Sequence, residues 1–301
     1  MKNISGYFRM KKIYSIMFFI SVVLTLAAIV ALVIFGLRFG VDFKGGSVLE
    51  IQFLEQNPSN EDIQSSLSSK EFVTSLSVQP TEKNGSILRF AQVSEEQHRA
   101  VLESLQDKFG KIEEKRFDSV GPVIGQELRR KSVSALIILF LAIVIYIAFA
   151  FRRLGSVLSP WAMGAAALIA LIHDVGIPLG VFAILGHYYS VEISAVFVAA
   201  ILTILGYSIS DSVVVFDRIR ENVLKYGKEN FGDLVHKSVM QTLTRSLNTT
   251  FTTLLSLFAI YFFGGQSVKM FSLALIIGVF LGAYSSIFIA SPLLFWMSRK
   301  K

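Results

Sequence analysis

Long apolar runs alternate with short polar breaks along most of this chain, but the spacing is uneven. One run stands near the start, a long polar interval follows, and five further runs then come in close succession. A helix crossing a bilayer needs about 20 mostly apolar residues. Six stretches qualify: Ile13–Leu37, Ser132–Ala150, Trp161–Leu185, Val191–Phe216, Arg245–Phe263 and Val268–Met297. The pattern therefore predicts an α-helical membrane protein with six transmembrane helices in a one-plus-five layout. The first run lacks the short apolar core and small-residue end of a cleaved leader, so it is expected to remain as helix 1 over residues 13–37.

The polar interval, residues 38–131, changes period. Val48–Phe53 alternates as a strand, and Ser59 behind Pro58 opens a helix over Ser59–Ser69. Val73–Val78 and Ser86–Gln92 read as strands joined by the turn Lys83-Asn84-Gly85. Ser94 with Gln97 forms a capping-box start for a helix that runs to Phe109 and stops at Gly110, and Ile112–Val120 closes the set as a strand. The order β-α-β-β-α-β predicts a small α+β insert of ferredoxin-like, split βαβ topology between the first two membrane helices. Nothing in it has the makeup of a catalytic constellation, and a binding or handling surface is the default expectation.

Composition agrees with the pattern. The 301 residues are 53% hydrophobic, include 26 phenylalanines and carry 17% charged residues, with a mean hydropathy of +0.59. Cysteine is absent, which excludes a disulfide framework. The net charge of +7 is distributed by topology. Lys2, Arg9, Lys11 and Lys12 precede helix 1, and Arg152 and Arg153 separate helices 2 and 3. Arg218, Arg220, Lys225, Lys228 and Lys237 lie in the segment near 217–244, and Arg299, Lys300 and Lys301 end the chain. The alternate connections, Gly186–Ser190 and Gly264–Ser267, have neither lysine nor arginine. By the positive-inside rule, both termini (residues 1–12 and 298–301) are expected in the cytoplasm and the insert on the periplasmic or external side. No basic patch interleaved with aromatics points to nucleic acid, and no phosphate loop points to ATP.

Candidate chemistry lies in the polar residues at membrane depth. A carboxylate near a helix centre costs roughly 2.5–3.5 kcal/mol on insertion scales, so Asp211 needs a reason to be there. Thr203, Tyr207 and Asp211 recur every four residues, with Ser208 three before Asp211, and so share one helix face. On the fifth span, Arg245, Asn248, Thr249, Thr252, Thr253 and Ser256 form a polar stripe. Two such stripes are expected to face each other around a wet interior, with Asp211 and Arg245 as a pair that alternates between joined and released states. The same residues also suit a plainer role, in which hydroxyls glue helices and the ion pair fixes packing. His173-Asp174 is a second polar pair, in the third span. It reads either as a secondary relay or as polar groups healing the kink at Pro178. With four histidines on separate segments and no ligand spacing, no metal and no cofactor are expected. Gly278/Gly282 and Gly176/Gly180 are expected to mark close helix packing. Glu221–Lys225 is expected as an ion pair on a charged extension of the fourth span.

Four segments resemble the SecF branch of the SecD/SecF family, within the resistance-nodulation-division superfamily of proton-driven transporters. These are Val41-Asp-Phe-Lys-Gly-Gly46, Ala170-Leu-Ile-His-Asp-Val175, Gly206 to Asn222, and Gln241-Thr-Leu-Thr-Arg-Ser-Leu-Asn-Thr-Thr250. Ser210, Ser212 and Ser246 stand where the family commonly has Asn, Thr and Thr. The resemblance implies a non-enzymatic subunit that joins SecD, its second six-helix half, beside the SecYEG channel in the bacterial inner membrane. There the pair would use the proton-motive force to draw unfolded polypeptide outward. It further implies Asp211 as the proton-carrying carboxylate and Arg245 as its coupled basic residue. A purely structural subunit, and an exporter of small molecules or lipids, are the competing functions.

Overall fold

The computed structural model describes residues 4–81, 84–152, 159–227 and 231–298, with side chains beginning at Lys12. Lys2, Lys83, Arg153, Lys228 and Arg299 to Lys301 lie outside the described residues, as do the side chains of Arg9 and Lys11. The chain divides into two units, residues 39–133 and the remainder.

In the first unit, α2 (Val41–Lys44) leads into β1 (Gly46–Phe53), α3 (Asn60–Leu67), β2 (Ser77–Thr81), β3 (Gly85–Phe90), α4 (Glu95–Phe109) and β4 (Ile112–Val120). The sheet order is β2-β3-β1-β4 and every neighbouring pair is antiparallel, which is the ferredoxin-like arrangement. Alternation along β1 turns Leu49, Ile51 and Phe53 into a core shared with Leu88 and Phe90 of β3 and with Ile63, Leu67, Val101, Leu105 and Phe109 of the two helices. Both helices start at reciprocal capping boxes, Ser59 with Asp62 and Ser94 with Gln97. The Ser59 hydrogen bonds hold the Asp62 carboxyl below its ordinary value.

The second strand departs from expectation. Val73 and Leu76 pack against the insert core from an irregular segment with Ser75 at φ 58°, so the strand begins only at Ser77. Pro80, which has no N–H to give, fits there because β2 is an edge strand. The glycine pair before β1 has a steric origin. Gly45 (φ 81°) and Gly46 (φ 124°) adopt backbone that disfavours side chains, and a Cβ on Gly45 would lie 2.6 Å from Cα of Pro122.

The membrane helices are α1 (Ile4–Phe35), α5 (Pro122–Ala150), α6 (Pro160–Tyr189), α7 (Ala195–Tyr226), α8 (Phe231–Phe263) and α9 (Gln266–Ser285), the last continuing through a π turn, Ser286–Ala290, into α10 (Ser291–Ser298). Six of these stretches are long and apolar enough to span a bilayer. Several bounds differ from those read in the sequence. α7 starts at Ala195 because Ser194 caps it, while Ile193 N–H is taken by the Arg38 carbonyl at 2.8 Å. α8 starts at Phe231, so residues 231–244 extend the fifth span as helix. This extension is tied to the end of α7: Asn222 Nδ2 donates to Ser238 (2.7 Å) and Gln241 (2.9 Å), and Arg218 Nε donates to Gln241 at 2.7 Å. The charged end of α7 pairs as Arg218–Glu221 and Arg220–Asp217, and no Glu221–Lys225 pair forms among the described residues.

The packing glycines divide. Gly278 lies against Ile204, and a Cβ on Gly282 would stand 3.0 Å from Cβ of Ser208, so α9 rides directly on α7. Gly180 meets Ala28 of α1, whereas Gly176 faces nothing within 4 Å. Gly282→Val is expected to force α7 and α9 apart and to destabilise the bundle by about 1–3 kcal/mol. A matching fall in the denaturation midpoint of the purified chain in detergent checks this.

Candidate functional site

The close approach of α9 to α7 sets two carboxylates into hydrogen-bonded networks inside the helical unit. Asp174, in the middle of α6, is fully buried. Its Oδ2 accepts from Ser208 Oγ of α7 at 2.5 Å and from Ser285 Oγ at the end of α9 at 2.6 Å, and its Oδ1 lies 2.8 Å from Nδ1 of His173. His173 is itself buried, lies 6.2 Å centroid to centroid from Tyr284 with nearly parallel rings, and has no hydrogen-bond partner for Nε2 among the described residues. Asp174 thus draws on three helices at once. Both oxygens are engaged by side chains of α6, α7 and α9, and none of these bonds goes to the backbone freed by Pro178.

Asp211, one turn beyond Ser208 on α7, is half-buried. The Ser246 hydroxyl of α8 donates to Oδ1, and the Ser286 hydroxyl of the π turn donates to Oδ2 at 3.0 Å. Four residues back, Tyr207 OH donates to Thr250 Oγ1 at 3.3 Å, which carries the polar seam between α7 and α8 up one turn. Ser285 and Ser286 are adjacent residues, and each serves a different carboxylate. The backbone sets this up. At the π turn the helix widens, Ser291 Oγ donates to the Ser286 carbonyl at 2.7 Å, and Pro292 just beyond has no N–H to restore a regular α turn.

The expected Asp211–Arg245 pair does not form among the described residues; Arg245 is exposed. Successive helix positions point about 100° apart, so when Ser246 faces Asp211, Arg245 is turned aside. The face of α8 that meets α7 and α9 is Ser238, Thr242, Ser246 and Thr250, all buried and four residues apart. The stripe read from sequence lies on a neighbouring face: Asn248, Thr249, Thr252 and Ser256 are exposed. Thr203 of α7 is exposed too, Tyr207 is half-buried and Ser208 is buried. The two predicted stripes therefore do not close on each other within this chain. Thr249, Thr252, Thr253 and Ser256 return their hydroxyls to carbonyls of their own helix, at 3.0, 3.0, 2.8 and 3.3 Å. Arg245 and Asn248 are too long and too rich in donors to be satisfied that way.

Sequence reasoning passed over Ser246, Ser285 and Ser286 as site residues. Two signals were present. Ser238, Thr242, Ser246 and Thr250 repeat at four-residue spacing, and Ser285-Ser286 stands before Ser291-Pro292 in an otherwise apolar span.

A multi-pass helical bundle with a ferredoxin-like insert, and with serine-bound carboxylates inside its apolar helices, defines a polytopic membrane protein. Residues 100–300 match the family described as protein export membrane protein SecD/SecF, C-terminal, and residues 30–53 match the SecD/SecF GG motif. The protein translocase subunit SecF of Thermobaculum terrenum is 44% identical over 288 residues, covering 92% of this chain and 90% of that protein. The SecF subunit of Anaerolinea thermophila is 38% identical, covering 93% and 91%. The crystal structure of SecDF from Thermus thermophilus superposes with a TM-score of 0.81 at 33% identity over 95% of this chain, which spans 38% of that longer one. The chain belongs to the SecD/SecF family and is a protein translocase subunit of its SecF branch.

Asp174→Leu leaves Ser208 and His173 facing an apolar side chain, with Ser285 reduced to the Gly282 carbonyl at 3.2 Å, and each buried group left unpaired costs about 1–3 kcal/mol. Asp174→Asn keeps acceptor and donor capacity. The leucine variant is expected to lose most of its monodisperse yield in detergent gel filtration, and the asparagine variant to retain it.

Proposed function

We propose that this chain is one six-helix half of a proton-driven protein translocase, with SecD as the other half. Together they use the proton-motive force to promote export of unfolded polypeptide through the SecYEG channel. In this reading Asp211 carries the proton and Arg245 is its coupled basic residue, set on a face that the partner half covers.

The observation that carries the reading is the setting of Asp211: a carboxyl at bilayer depth whose described partners are two serine hydroxyls. A hydroxyl can donate to a carboxylate or accept from a carboxylic acid, so the same two serines accommodate both protonation states. A fixed ion pair would hold only one of them. The exposed Arg245 and Asn248, one face away on α8, supply the second support. A guanidinium at this depth needs a protein or water partner, because lipid offers none. A second membrane half is the partner that the relatives make available, since SecDF carries this chain's counterpart within a longer polypeptide. A proton crossing a 100 mV potential releases about 2.3 kcal/mol, enough to bias a two-state bundle.

The lysine and arginine pattern supports cytoplasmic termini, a cytoplasmic α7–α8 connection and an insert outside the membrane, where it would meet emerging polypeptide. The chain has no native cysteine, so single reporters are clean. A cysteine at Ser190 is expected to react with a membrane-impermeant maleimide applied to intact spheroplasts, and one at Gly227 only after permeabilisation. The reverse pattern overturns the orientation.

Asp211→Asn, co-expressed with the partner half, is expected to abolish the proton-dependent stage of export in inverted vesicles while co-purification of the partner is unchanged. Full export by that variant sinks the proton-carrying role. Loss of export in step with loss of the protein on a blot points instead to a structural subunit.

A further inference from the structure

Two carboxylates from different helices are served by neighbouring serines of a third, at the point where that helix changes its winding. Each serine also has a second acceptor within reach. Ser286 Oγ stands 3.0 Å from Asp211 Oδ2 and 2.9 Å from the carbonyl of Ala283. Ser285 Oγ stands 2.6 Å from Asp174 Oδ2 and 3.2 Å from the carbonyl of Gly282. A hydroxyl has one hydrogen. Each serine can therefore serve its carboxylate or its own helix, and the two choices are distinct hydrogen-bonded states.

From this geometry we infer that Ser285-Ser286 is a two-position hydroxyl switch that couples Asp211 to Asp174, so that a proton arriving at Asp211 changes the hydrogen bonding of the buried Asp174 network. The inference rests on the reading of Asp211 as a proton carrier and adds a second, interior carboxyl to it.

The sequence of events follows from donor and acceptor counting. While Asp211 is ionised, Ser246 and Ser286 both donate to it. When Asp211 takes a proton, that proton needs an acceptor, and the nearest lone pairs belong to the same serines. Ser286 then turns its hydrogen to the Ala283 carbonyl and accepts from Asp211. Ala283 and Gly282 belong to the last turn of α9, where Ser286 N–H also closes onto the Gly282 carbonyl. A new bond to this turn alters the tilt of the carbonyls that compete for Ser285. Ser285 in turn shares Asp174 with Ser208, which sits three residues before Asp211 on α7. The loop closes: Asp211, Ser286, Ser285, Asp174, Ser208 and back along one turn of α7 to Asp211.

The local features suit such a switch. A π turn is rare and is found mostly as a single turn inside an α-helix, frequently at functional positions. The glycine contact at Gly282 keeps α9 on α7, so a change at the serines is not lost in slack packing. His173 Nε2 is buried without a partner among the described residues, and an unpaired buried nitrogen is costly enough to call for a role. At Asp174 the ionisable neighbours are His173 and Tyr284, the latter held by Ser21 of α1 at 3.2 Å and donating to the Met17 carbonyl at 2.7 Å. Around Asp211, Tyr207 lies one turn away on its own helix, bonded to Thr250 of α8, and Arg245 of α8 is exposed on the adjoining face. Ser285 and Ser286 are thus positioning residues, acting through the carboxyls they hold.

Infrared difference spectroscopy on the purified complex with its partner half, reconstituted in liposomes, tests this. Asp174→Asn identifies the Asp174 carboxyl band. Asp211→Asn is then expected to move that band in frequency or to shift its titration midpoint by about one pH unit, the size of interaction that makes two sites titrate as a pair. In Ser285→Ala and Ser286→Ala backgrounds the same substitution is expected to leave the band unmoved. Ser272→Ala is the control, because its hydroxyl is engaged with backbone carbonyls of α9 at 2.8 and 3.0 Å and with neither carboxyl. An Asp174 band indifferent to Asp211→Asn overturns the inference, and so does a shift that survives both serine variants or vanishes equally in Ser272→Ala. Coupled bands together with unimpaired export by Asp211→Asn would leave the switch standing and remove the proton-carrying role instead.

Discussion

Lipid provides no hydrogen bonds, and this single constraint organises the helical unit. A carboxyl placed at bilayer depth must collect donors from neighbouring helices, and those helices must then come close enough to deliver short side chains. Serine is the shortest side chain that carries a donor. Its use at positions 208, 246, 285 and 286 demands near-contact between backbones, which Gly278 and Gly282 permit at the α7–α9 crossing. Burial of Asp174, the winding change at Ser286 and the small-residue track on α9 are consequences of one requirement met at one place.

Much of the architecture was legible in the sequence because hydrophobic length and capping chemistry are local. The helix from Ser94 to Phe109 was readable from a capping box and a stopping glycine. The strand expected at Val73–Val78 was misplaced for a tertiary reason. Val73 and Leu76 are apolar because they plug the insert core from a loop, and apolarity alone does not distinguish a plug from a strand. The extension of α8 back to Phe231 escaped because polar side chains such as Asn222, Ser238 and Gln241 satisfy one another across a helical hairpin, which a hydropathy reading takes for a loop.

The candidate site divides along the same line. That Asp211 and Asp174 need hydrogen-bonding partners could be read from their cost in lipid. Which side chains meet them could not, because opposite charge drew attention to Arg245 while the actual neighbour is Ser246, one residue and about 100° further round the helix. Charge is conspicuous in a sequence and a hydroxyl is not. The four-residue repeat of Ser238, Thr242, Ser246 and Thr250 was the better guide to which face of α8 turns inward.

The outer face of α8 carries a consequence for biogenesis. Thr249, Thr252, Thr253 and Ser256 fold their hydroxyls back onto their own helix, so this surface is polar in composition and nearly inert toward lipid. Only Arg245 and Asn248 on that face remain to be accommodated. A solitary chain would thus meet the bilayer with two unmet side chains, Arg245 and Asn248, rather than with a whole polar face, and the demand for cover narrows to those two positions.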